Sequence, residues 1–69
     1  MMSISAKQPR FAVGDLVRER FPSATLNQEI GTVAKQYEFE NQYRYLIEFA
    51  SGREYVFFEW ELMEVPSSQ

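Results

Sequence analysis

The chain has 69 residues, no cysteine, no histidine, and a formal charge of -3 from ten acids against seven bases. It is therefore one short domain without a disulfide staple, a thiolate metal site, or any catalytic pair built on imidazole. The acidic balance argues against ordinary nucleic-acid binding, and a composition 45% hydrophobic and 16% aromatic is too apolar for a disordered chain.

Residues 1–10 (MMSISAKQPR) are polar and carry Pro9 near their end. They read as a flexible arm, and they lack the apolar core of a secretory leader. Gly14 and Asp15 form a turn ahead of a first strand over residues 16–20. Residues 21–28 (FPSATLNQ) have loop chemistry. A second strand follows over residues 29–37, with Gly31 placed early enough to allow a bulge or bend.

Residues 38–42 form a turn carrying Glu38 and Glu40. The clearest element is the third strand, where Tyr43, Tyr45, Ile47 and Phe49 alternate with Arg44, Leu46 and Glu48. That period of two is what a half-buried pleated surface selects. Residues 51–53 make a hairpin turn, and residues 54–58 a fourth strand. Residues 58–62 (FEWEL) are too few for an α-helix and read as one 3₁₀ turn. Residues 63–65 close as a fifth strand, and residues 66–69 form a flexible tail. The expected fold is all-β, a small five-stranded SH3-like barrel over residues 11–65 with the 3₁₀ turn before its last strand. Closure would remove exposed sheet edges. No apolar run approaches the ~20 residues that span a bilayer, so the expectation is a cytoplasmic domain without membrane insertion.

Several motifs, in order, resemble the SH3-like accessory proteins of photosynthetic electron transfer, above all the E subunit of photosystem I. They are Gly14-Asp15-Leu16-Val17, Phe21-Pro22, Gly31-Thr32-Val33-Ala34, the strand from Tyr43 to Phe49, and Glu59-Trp60-Glu61-Leu62-Met63-Glu64-Val65. The ending from Phe57 to Glu61 is also similar to that of a small subunit associated with the cytochrome b6f complex. The resemblance implies a non-catalytic accessory subunit, docked peripherally on the cytoplasmic or stromal face of a membrane electron-transfer complex, with no cofactor of its own.

The candidate contact residues are Arg18, Arg20, Phe57, Phe58 and Trp60. Arg18 and Arg20 lie two apart on a strand and share a face, where they could orient an acidic partner, with Lys35 as a third base. Residues 1–35 hold five bases against three acids, and residues 36–69 two bases against seven acids. Tyr37, Phe39, Tyr43, Tyr45, Tyr55, Phe57 and Phe58 exceed what one small core holds. The excess suggests a binding groove or an oligomer face, and the run from Phe57 to Trp60 is the leading contact patch. Glu19 is the odd residue, because alternation from Val17 points it inward, where a carboxylate belongs only at a rim or in a pair. The acids lack the convergent spacing of a hard-cation site.

Two rival readings belong to other classes. One is a nucleic-acid-associated SH3-like module. The other is an enzyme, because Phe11-Ala12-Val13-Gly14-Asp15-Leu16-Val17-Arg18 is similar to the opening of the tetrameric type B dihydrofolate reductases. Their active-site strand carries Gln and a terminal Tyr, whereas the corresponding stretch here is Tyr55-Val56-Phe57-Phe58. The groups that would touch folate and nicotinamide are missing, so no catalytic residue is assigned.

Overall fold

The computed structural model describes residues 8–21, 26 and 28–66. The first seven residues of the expected arm, positions 22–25 and 27 of the expected loop, and residues 67–69 of the tail lie outside the described residues.

The chain runs β1 (Leu16–Glu19), β2 (Gly31–Phe39), β3 (Gln42–Phe49), β4 (Glu54–Phe58), a 3₁₀ turn (Glu59–Glu61) and β5 (Leu62–Glu64). All pairings are antiparallel, in one sheet of order β4-β3-β2-β1-β5. This is the five-stranded all-β arrangement expected, with the 3₁₀ turn before the last strand. No helix among the described residues is long and apolar enough to cross a membrane.

Each boundary has a local cause. Gly14 adopts φ +99°, and the Asp15 carboxylate accepts from the Ala12 N–H at 2.9 Å, which closes the turn before β1. β2 runs two residues further and β3 starts one residue earlier than expected because their hairpin loop is only Glu40 and Asn41, both with positive φ. Two left-handed residues match the right-handed twist of the flanking strands. Gly52, at φ +92°, turns the chain between β3 and β4.

Gly31 does not mark the bulge. The register shift falls between Val33 and Lys35, which leaves Ala34 unpaired. Gly31 is needed for space, because a Cβ there would enter the contact distance of Ile47 and the Phe49 ring. The bulge bends the long β2, so its first residues pair with β1 while its whole length pairs with β3.

The core draws on every strand: Val17, Val33, Tyr45, Ile47, Phe49, Phe57 and Leu62, with Phe11 from the N-terminal segment and Leu26 from the β1–β2 connection. The sheet therefore curls around one cluster. The hydrogen-bonded ladder runs from β4 through β3, β2 and β1 to β5. β4 and β5 are the outer strands, and the 3₁₀ turn joins them end to end while β5 crosses to pair with β1. Glu19 ends β1 half-buried and in register with Leu62, a rim position.

Candidate functional site

Strand alternation divides two adjacent phenylalanines. Phe57 pairs with Tyr45 on the inner face and is 8% exposed, whereas Phe58 pairs with Arg44 on the outer face. Phe57 packs edge-on against Phe49 in the core, so it leaves the contact set. The next three residues form the 3₁₀ turn, which lifts Trp60 clear of the sheet with 61% of its surface exposed.

This turn is held from several sides. The Phe58 N–H donates to Glu61 Oε1 at 2.8 Å. The Arg20 N–H donates to the Glu61 carbonyl at 2.8 Å. Arg20 Nε and Nη2 donate to the carbonyls of Trp60 and Leu62 at 3.2 and 3.4 Å. From beneath, Glu59 Oε2 accepts from the Tyr45 hydroxyl at 2.7 Å and from the Arg10 N–H at 2.8 Å. Burial pushes the Tyr45 phenol up to about 12, and its hydrogen bond to the Glu59 carboxylate adds to the effect. Trp60 is thus an exposed aromatic on a fixed support, a presentation that lowers the ordering cost of binding.

On the outer face the aromatics form layers. The Arg44 guanidinium lies 4.7 Å from the Phe58 ring centroid. The Phe58 ring stacks on Trp60, with centroids 6.2 Å apart and planes within 10° of parallel. β4 stops at Phe58 while β3 continues past it to Gln42, which leaves a notch at the sheet edge. The notch holds about 300 Å³ and is lined by Gln42, Tyr43, Phe58, Glu59 and Trp60. Three aromatic rings and one carboxylate favour a cationic group there, because the ring faces carry negative potential.

The expected basic pair is arranged differently. Arg18 is half-buried on β1, in register with Met63, whereas Arg20 lies beyond the strand and spends its guanidinium on backbone carbonyls. Lys35 does not join them. Val17 pairs with Gly31 in an antiparallel register, so Lys35 lies toward the opposite end of β1 from Arg18. The sequence put Phe58, Glu59 and Trp60 in one run and named Tyr43 among the surplus aromatics, and the structure brings these four together, but Arg44 and Gln42 were not legible as their neighbours. Arg44 and Phe58 are fourteen positions apart and meet only through the β3–β4 register.

No protein-family model matches the chain, and no curated protein or solved structure matches it either. The resemblance to photosynthetic accessory subunits rests on the ordered sequence motifs alone.

Proposed function

We propose that this domain is a non-catalytic interaction module that docks a partner protein by taking an arginine side chain into the notch beside Trp60. The observation that carries the reading is the Arg44–Phe58–Trp60 stack. The chain's own guanidinium already occupies one end of the layered rings. A partner's guanidinium on the open face of Trp60 would continue the same stack, beside the Glu59 carboxylate. The acidic second half of the chain would steer a basic partner at low salt. On the resemblance to the photosystem I E subunit, that partner is a subunit of a membrane electron-transfer complex, and the domain works by docking. Arg18 remains available as an orienting contact on the β1 side.

Trp60 is the only tryptophan, so its fluorescence reads the notch directly. Titration with a short extended peptide carrying one arginine should give a saturable change that weakens as salt rises. The same peptide with glutamine in place of arginine should give none. Trp60→Ala should abolish arginine-peptide binding, followed by calorimetry, while moving stability by no more than about 0.5 kcal/mol. Equal responses to both peptides, or no response to either, would discard the reading.

A further inference from the structure

The outer face of β2, β3 and β4 carries a second pattern, which borders the notch and shares Arg44 and Phe58 with the stack beside it. Register sets its side chains in rows. Tyr37, Arg44 and Phe58 form one row, Lys35, Leu46 and Val56 the next, and Thr32, Glu48 and Glu54 the third. Rows lie roughly 7 Å apart along the strands. Arg44 sits one row to one side of the Leu46–Val56 row, and Glu48 and Glu54 sit one row to the other side. Val56 is 53% exposed and Tyr37 44% exposed. Glu48 and Glu54 are directly opposite each other across the β3–β4 ladder, a placement that repels. Neither has an ion-pair partner among the described residues.

We propose that two copies of this chain meet on this face, related by a two-fold axis that runs across the strands through Leu46 and Val56. Such an axis keeps each strand over its counterpart and reverses the order of the rows. Arg44 then lies over the second copy's Glu48, within reach of its Glu54, and the reciprocal contact forms by symmetry. Leu46 and Val56 meet their own counterparts at the centre. Lys35 meets its counterpart at the rim, where both ammonium groups extend to water. A foreign anionic or cationic surface would satisfy only one of the charged rows, whereas a second copy satisfies both. Three strands by three rows is smaller than the roughly 800 Å² per partner of a stable interface. The dimer is therefore concentration-dependent, and it leaves Trp60 at its edge.

The test is sedimentation equilibrium of the full chain over a range of concentrations, with two face variants. Lys35→Glu with Arg44→Glu makes the face anionic, and Glu48→Lys with Glu54→Lys makes it cationic. The wild type should dimerise. Each variant alone should associate at least about tenfold more weakly, through like-charge repulsion, and an equimolar mixture should form a one-to-one heterodimer. Formation of that heterodimer also shows that both variants fold. Val56→Lys, an exposed edge-strand change, should block dimerisation without lowering the melting temperature. Trp60→Ala should leave the dimer intact, which separates this surface from the notch. A wild type that stays monomeric, a wild type that forms a tetramer, a mixture that fails to associate, or a Val56→Lys chain that dimerises normally would overturn the proposal.

Discussion

The molecule holds two aromatic groups that obey different geometry. Inside, Phe11 meets Tyr45 edge-on with centroids 5.3 Å apart, and Phe49 meets Phe57 edge-on at 6.4 Å. Outside, the Phe58 and Trp60 rings lie nearly parallel and offset, with the Arg44 guanidinium over the Phe58 ring. The four inner rings are buried, so none presents a face to solvent. Trp60 keeps 61% of its surface exposed, so the inner group holds the fold and the outer group has surface left for a partner. The dividing line passes between Phe57 and Phe58.

The sharpest way to break the comparison is to truncate each of that pair. Phe57→Ala should cost about 3–5 kcal/mol, a large share of a small domain's stability. Phe58→Ala should cost about 1 kcal/mol or less in chemical denaturation while removing the stack. The next effect is a pH dependence confined to the inner group. Tyr45 holds its proton more tightly when folded, with a value of about 12 against an ordinary 10. Its contribution is complete below pH 10 and is lost as pH rises toward 12, a decline of about 2–3 kcal/mol. Denaturation at stepped alkaline pH should show this decline, and Tyr45→Phe should flatten it. Gly31→Ala should cost about 1–3 kcal/mol by overpacking Ile47 and Phe49, read as a lower denaturation midpoint. The smallest effect is a gain. Glu40 occupies the left-handed region at φ +52°, so Glu40→Asn should stabilise by roughly 0.5–1 kcal/mol, measured as a higher melting temperature.

Elements with strict alternation were legible in the sequence. β3 and β4 appear within a residue of where the period of two puts them, because that period records which face is buried. The β2–β3 turn was drawn too wide because Glu40 and Asn41 are not the Asn-Gly signal of a two-residue loop. Gly31 was given the wrong role, since a glycine chosen for space looks like one chosen for bending until its cross-strand neighbours are known. Leu26 lies in the loop as read, but its burial was not legible because the residues that cover it come from elsewhere in the chain. At the site, Trp60 and Phe58 were legible as a local aromatic run. Arg44 was not, because a cross-strand contact is a property of register. Arg20 was legible as a base, but the carbonyls that occupy it belong to residues forty and forty-two positions later.

The pairing of β1 with β5 has a kinetic consequence. β2, β3 and β4 are joined by turns of a few residues, so their ladders close short loops. β1 and β5 bring opposite ends of the domain together, with the Val65 N–H bonded to the Leu16 carbonyl at 2.9 Å. The entropy of closing so long a loop is lost before any contact rewards it. The three-stranded meander is therefore expected to form first, with β5 docking late and bringing Leu62 with it. Mutations in the β2–β3 hairpin should slow folding, whereas mutations at the β1–β5 seam should chiefly speed unfolding.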